Sequence, residues 1–165
     1  MNGEIICVGT ELLLGDVLNS NSQYLSRELS TLGINLFYHS VVGDNSERLK
    51  QTLLTGLKRS DIIITTGGLG PTQDDLTKET ISKLLDLPLE LHKPSFEHIK
   101  DYFKNGSCKM TTNNIKQAYI PMGSIVIPNN NGTAPGIIIE KNDKIIILLP
   151  GPPKELIPMF EKYII

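Results

Sequence analysis

Six short runs rich in Ile, Val and Leu punctuate this chain: "EIICV" (4–8), "INLFYHSVV" (34–42), "DIIITT" (61–66), "GSIVIP" (123–128), "GIIIE" (136–140) and "KIIILLP" (144–150). Several are apolar at nearly every position rather than at every second one, as strands buried on both faces require. Between the first three lie stretches with apolar residues at helical spacing: Leu25, Leu29 and Leu32 ahead of Gly33, then Leu49, Leu53 and Leu57. Ile81, Leu84 and Leu85 mark another helix after the third run. Strands that alternate with helices run parallel, with the helices packed over the sheet. The expected fold class is α/β, a mostly parallel sheet covered on both faces.

The second half changes character. "PSFEHIKDYF" (94–103) places Phe96, Ile99 and Phe103 on one helical face, "NGSCKMTTNN" (105–114) reads as a loop, and "IKQAY" as a short helical turn. "KND" (141–143) between the last two runs fits a hairpin turn, so an antiparallel edge strand is expected beside the parallel ones. "PPKELIPMFEKYII" (152–165) reads as a helix with Pro at its start, where a missing N–H does no harm. A chain of 165 residues suffices for one domain with a core and is too short to expect two. With no internal repeat or linker, residues 1–165 are expected to form a single domain.

Composition removes several classes of function. A formal charge of -2, no Trp and 5% aromatic residues give neither the basic excess of a nucleic-acid binder nor a stacking platform for single strands. No apolar run is long enough to span a bilayer, and the N-terminus lacks a signal-peptide pattern. Cys7, inside an apolar run, and Cys108, in a polar stretch, suggest neither a disulfide framework nor a zinc site. A reducing cytoplasm is the expected location.

In an open α/β sheet, ligands bind beyond the carboxyl ends of the parallel strands. After the first run come Gly9, Thr10 and Glu11, with Asn19 and Asn21 further on; after the second, Gly43 and Asp44; after the third, Gly67, Gly68, Gly70, Thr72, Asp74 and Asp75; after the last, Gly151 and Lys154. The glycine signal alone is weak. "GLGPTQ" has Gln73 where a dinucleotide fingerprint needs its third glycine, and no Gly-Lys-Ser/Thr follows, so turn formation is a sufficient account of those glycines. The acids are more informative. Asp74 alone reads as a helix cap or a solvated side chain, but Glu11, Asp44 and Asp75 each follow a separate strand and should meet at one sheet edge. Two carboxylates about 5 Å apart repel by roughly 3 kcal/mol at an effective dielectric near 20, while a helix dipole offsets at most about 2 kcal/mol. Phosphate bound there would need a positive partner, and a divalent metal with oxygen ligands is the simplest one. His39, His92 and His98 show no metal-binding spacing and read as structural or surface residues. Cys7 has no evident base and no G-x-S-x-G elbow is present, so nucleophilic catalysis is unsupported.

Taken together, "GTELLLGDVLNSNSQYL", "VGDN", "TTGGLGPTQDDLTKE", "GTAPG" and "LPGPPKEL" resemble, in order and over essentially the whole chain, the N-terminal domain of the competence/damage-inducible CinA family. The resemblance implies the three-layer α/β/α molybdopterin-binding-like fold and a metal-dependent ADP-ribose pyrophosphatase activity giving AMP and ribose 5-phosphate. It places Asp44 and Asp75 on the family's acidic positions and Thr10 and Glu11 on the polar pair after the first strand; Glu11, Asp44 and Asp75 are the expected catalytic acids, holding or positioning Mg²⁺, Co²⁺ or Mn²⁺. It puts Thr10, Asn19, Asn21, Thr66, Gly67, Gly68, Gly70, Thr72, Asn114, Gln117, Gly151 and Lys154 around the substrate and its phosphates. Full-length members often carry a C-terminal nicotinamide mononucleotide deamidase domain, which is expected to be absent here, and relatives of this fold commonly form homo-oligomers. Two rivals share the same loops: a non-catalytic molybdopterin or nucleotide-binding module, and nucleotidyl transfer to a pterin in molybdenum cofactor biosynthesis.

Overall fold

The computed structural model describes residues 1–106 and 109–165; Cys108 and part of the expected 105–114 loop lie outside them. Strands β1 (Asn2–Val8), β2 (Asn35–Val42), β3 (Ile62–Thr66), β6 (Ile125–Ile127), β7 (Gly136–Lys141) and β8 (Lys144–Leu149) form one sheet in the order β2-β1-β3-β8-β7-β6. The first four strands in that order are parallel. β7 runs antiparallel to β8, and β6 antiparallel to β7. The reversed strand, β7, is therefore not the edge itself: β6 lies outside it and runs in the same sense as β8. The turn between β7 and β8 is tighter than expected, because Lys141 pairs with Lys144 and only Asn142 and Asp143 lie between them. Both have positive φ, 51° and 59°, the mirror-image turn that matches the twist of a hairpin.

The helices are α1 (Thr10–Leu14), α2 (Ser20–Thr31), α3 (Ser46–Arg59), α4 (Thr77–Leu84), α5 (Lys93–Lys104) and α6 (Pro153–Tyr163), with a 3-10 helix at Thr112–Ala118. Successive side chains of a strand point to opposite faces, and the core divides accordingly. Ile6, Val8, Ile63 and Leu148 cluster with Leu49 and Leu53 of α3 and Ile81 of α4. Ile5, Cys7, Ile64, Ile147 and Leu149 cluster with Leu25 and Leu29 of α2 and Leu156 and Phe160 of α6. That is the three-layer α/β/α arrangement. Leu32, expected on the buried face of α2, instead caps its end and is 41% exposed.

A two-stranded antiparallel ribbon, β4 (Leu89–Leu91) with β5 (Tyr119–Pro121), stands apart from the main sheet. Glu4, fully buried in β1, is neutralised by Arg59, whose Nη2 and Nε donate to its two carboxylate oxygens at 2.7 and 2.9 Å. Arg59 also stacks on Tyr38, 3.4 Å from the ring centroid. Pairing this charge offsets the large cost of burying it alone.

Candidate functional site

Because β1, β2, β3 and β8 are parallel, the loops that follow them emerge at one edge of the sheet. There they enclose a cavity of about 410 Å³ whose lining includes Glu11, Asp44, Gly67, Gly68, Gly70, Thr72, Asp75, Gln117 and Gly151. Asp74 and Glu155 also line it, bringing its acids to five, and no Lys, Arg or His is among the lining residues.

The two acids after β2 and β3 are anchored in the same way. Asp44 Oδ2 accepts from the Thr10 amide (3.1 Å) and the Thr10 hydroxyl (2.8 Å). Asp75 Oδ2 accepts from the Thr72 amide (2.9 Å) and hydroxyl (2.5 Å). Each Oδ1 takes no hydrogen bond among the described residues and keeps its acceptor capacity. Lys116, from the 3-10 helix, secures the second loop by donating to the carbonyls of Thr72 (2.9 Å) and Asp75.

The glycine loop closes on itself. Thr77, at the start of α4, donates its hydroxyl to Gly67 O (2.9 Å) and its amide to Gly68 O (3.1 Å). Gly67 and Gly68 have φ of 97° and 69°. A Cβ on either would strike its neighbour, Val8 O for Gly67 and Thr77 Oγ1 for Gly68, so only glycine fits at these positions. The amides then divide. Gly67 N–H donates to Leu149 O (3.0 Å) and extends the β3–β8 ladder, so the expected use of this amide for phosphate is corrected. The amides of Gly68, Leu69, Gly70 and Gly151 have no acceptor among the described residues and remain available to an anion.

A second cavity, about 300 Å³, adjoins the first through Glu11 and Gly151 and is lined by Asn19, Asn21 and Thr66 as well. Asn21 Nδ2 donates to Gly151 O (2.6 Å) and Thr66 Oγ1 (2.9 Å), while Thr66 Oγ1 donates to Pro150 O (3.2 Å). These partners fix the orientation of the amide and leave Asn21 Oδ1 buried without a donor. Gln117 repeats the pattern: Nε2 reaches Leu69 O at 3.4 Å, and the buried Oε1 has no partner. Buried acceptors left without a donor are costly, and a ligand carrying hydroxyl or N–H groups would relieve that cost.

Three other residues expected near the substrate, and Asp74, are placed as follows. Asn19 Oδ1 caps α2 at Ser22 N (3.2 Å), although Asn19 still borders the second cavity. Asn114 caps the 3-10 helix, accepting from the Thr111 amide and hydroxyl, and lines neither cavity. Lys154 is exposed and also outside both cavities. Asp74 caps no helix, since α4 begins at Thr77 with Leu76 before it. The residue that sequence reading missed is Glu155, whose Oε2 accepts from Asn129 Nδ2 at 2.8 Å. Its signal was present, because it stands in the first turn of a helix that follows a parallel strand.

Among the described residues no three His, Cys, Asp or Glu side chains converge as a metal cage, so a fully protein-bound ion of the zinc or calcium kind does not fit. A hydrated ion of the Mg²⁺ type does fit. Such ions use one or two carboxylates and complete their coordination with water and ligand phosphates, and the free Oδ1 atoms of Asp44 and Asp75 are donors of that kind.

The fold defines a domain of the molybdopterin-binding-like class, and residues 4–165 match the family described as "Probable molybdopterin binding domain". Within it the chain belongs to the CinA family: it superimposes on CinA of Thermoplasma acidophilum, a protein of unknown function, with TM-score 0.89 and 34% identity, covering 97% of this chain and 94% of that one. It is 60% identical over 165 residues to a CinA-like protein of Dictyoglomus thermophilum and 57% identical to a competence-damage inducible protein of Acetivibrio thermocellus, spanning 40% of the length of each. The molybdopterin biosynthesis enzyme MoaB of Thermus thermophilus shares the fold, with TM-score 0.64 and 20% identity over 97% of this chain and 87% of that one. No helix among the described residues is long and apolar enough to cross a membrane.

Proposed function

We propose that this domain hydrolyses the phosphoanhydride of ADP-ribose, giving AMP and ribose 5-phosphate, with a divalent cation of the Mg²⁺, Co²⁺ or Mn²⁺ type held at Asp44 and Asp75. The observation that carries this reading is the pairing of unbonded backbone amides at Gly68–Gly70 and Gly151 with five acids and no cationic side chain in one cavity. Amides alone favour an anion and the acids alone favour a cation; a metal-complexed pyrophosphate satisfies both. The bound cation would neutralise the anhydride and polarise its oxygens.

The chain's own groups do the rest. Gly68, Gly70 and Gly151 amides receive the non-bridging oxygens where charge grows in the transition state. Thr10 and Thr72 hold the two acids in register, and Glu11 and Glu155 complete an acidic wall that orients an attacking water. That water's oxygen bonds to one phosphorus, the bridging P–O bond breaks, and the released proton passes to solvent. Purified protein with Mg²⁺ or Co²⁺ should therefore release AMP from ADP-ribose, and Asp75→Asn should lower the rate by about 10²-fold or more. An unchanged rate in that variant would sink the mechanism. The family match supports a second reading, a molybdopterin- or nucleotide-binding module without turnover; tight metal-independent binding with no AMP release would favour it.

A further inference from the structure

Of the two acids assigned to the cation, Asp75 has the weaker frame. Asp44 has only Gly43 before it and Asn45 after it between β2 and α3, so regular structure fixes its backbone from both sides. Asp75 lies within residues 67–76, which belong to no helix or strand. Its carboxylate is anchored on Thr72, and its amide donates to Thr72 O at 3.3 Å. A turn bonded to itself in this way can shift as a unit, and a ligand displaced by about 1 Å is already too loose.

The hold comes from a distant part of the chain. Lys116 Nζ, on the 3-10 helix, donates to Thr72 O (2.9 Å) and to Asp75 O, the two ends of the turn. An ammonium has three donors and no acceptor, so it can satisfy both carbonyls at once, and a charged donor makes the stronger bonds. The next residue, Gln117, reaches Leu69 O at 3.4 Å. Lys116 is held in turn by α4, where the buried Lys78 donates to Lys116 O at 2.6 Å. Glu79 Oε1 stands 3.8 Å from Lys116 Nζ and 4.0 Å from Lys78 Nζ and balances part of their charge. Neither lysine lines the cavities of the site. A lysine inside would pair with the acids and take the cation's place; here the positive charge is spent on backbone carbonyls, and Asp75 Oδ1 stays free.

We propose that Lys116 is a positioning residue for the divalent cation. By clamping both ends of the Thr72–Asp75 turn to the 3-10 helix, with Lys78 as its support, it fixes Asp75 and so sets the affinity of the site for metal. The role rests on the reading of Asp75 as a cation ligand.

Mn²⁺ alone, followed by loss of the free ion's paramagnetic resonance signal, tests this without substrate. Lys116→Met should weaken Mn²⁺ binding by about tenfold or more, and Lys78→Met by about threefold. Lys116→Arg, which keeps a charged donor, should stay within about twofold of the unaltered protein. Phe160→Ala, a core variant outside the site, should lower the melting temperature and leave Mn²⁺ binding unchanged. Should Lys116→Met fail to fold, Lys78→Met, of similar volume, carries the test. If Asp75→Asn weakens Mn²⁺ binding and neither lysine variant does, the positioning role falls while the metal reading stands. If Asp75→Asn has no effect, or the unaltered protein binds no Mn²⁺, the metal reading falls and takes the proposal with it. Binding as weak in Lys116→Arg as in Lys116→Met, or tighter in Lys116→Met than in the unaltered protein, also overturns it.

Discussion

Thr10 and Asp44, at the ends of neighbouring strands, hold one another by three hydrogen bonds: the amide and hydroxyl of Thr10 donate to Asp44 Oδ2, and the Asp44 amide donates to Thr10 Oγ1 at 3.2 Å. This clasp ties the loop after β1 to the loop after β2 and selects which carboxylate oxygen stays free. Thr10→Val, which keeps the shape and removes the hydroxyl, should lower metal-dependent AMP release by about 10-fold while costing roughly 1 kcal/mol of stability or less. Thr10→Ser should restore most of the rate. Steady-state kinetics beside urea melts would separate this positioning role from a general loss of folding.

Gly70 leaves no room for a side chain beside Asp75. A Cβ there would lie 2.6 Å from Asp75 Oδ2 and 2.9 Å from Oδ1. Gly70→Ala should therefore turn Asp75 off its Thr72 anchor. The expected outcome is loss of the Mg²⁺-dependent rise in melting temperature, with the metal-free melting temperature changed by only a few degrees. A full Mg²⁺ shift in the variant would remove Asp75 from the metal site.

Lys78 is buried in α4, where its amine donates to Lys116 O at 2.6 Å, and burial pulls it down to about 8 even with Glu79 Oε1 at 4.0 Å. Below about pH 8 the amine is charged in both folded and unfolded chains, so its burial penalty is constant. Between about 8 and 10.5 the unfolded chain keeps a proton that the folded chain has shed, so native stability rises with pH across that window. Measured against Lys78→Met, the unaltered protein should gain roughly 2–3 kcal/mol between pH 7.5 and 10.5. A flat or opposite trend in denaturant melts would mean that Lys78 is solvated.

Phe160 is fully buried beneath α2, edge-on to Tyr24 with ring centroids 5.9 Å apart. Phe160→Ala should cost about 3–5 kcal/mol, through lost burial and the cavity left behind. This residue lines neither cavity of the site, so binding measured well below the variant's melting point should be unchanged.

Much of this was legible in the residues because two rules are strict. Runs such as 4–8 and 61–66 are apolar enough to require cover on both faces, and parallel strands must release their loops on one side. The convergence of Glu11, Asp44 and Asp75 on one cavity follows from the second rule. What stayed illegible depends on orientation. Lys154 and Glu155 are adjacent on a helix, and about 100° of rotation sends one to solvent and the other to the cavity wall. Asn114 and Gln117 share a single 3-10 helix, yet one caps its start and the other faces the site. The glycine-rich loop could not reveal that Gly67 spends its amide on Leu149. The β4–β5 ribbon has three residues in each strand, too few for a pattern, and is defined by pairing across a long stretch of chain.

The double tether of Thr77 to Gly67 and Gly68 has a consequence beyond geometry. Residues 68–77 form a closed ring whose ends are already joined, so β3 and α4 are insulated from its contents. Lengthening such a ring costs little, about 0.6 kcal/mol for each doubling, and the side chains of residues 70–76 can change without reaching the core, to which Leu69 belongs. The segment between Gly70 and Leu76 is in effect an exchangeable cassette, and ligand preference in this domain can drift while the scaffold beneath it stays the same.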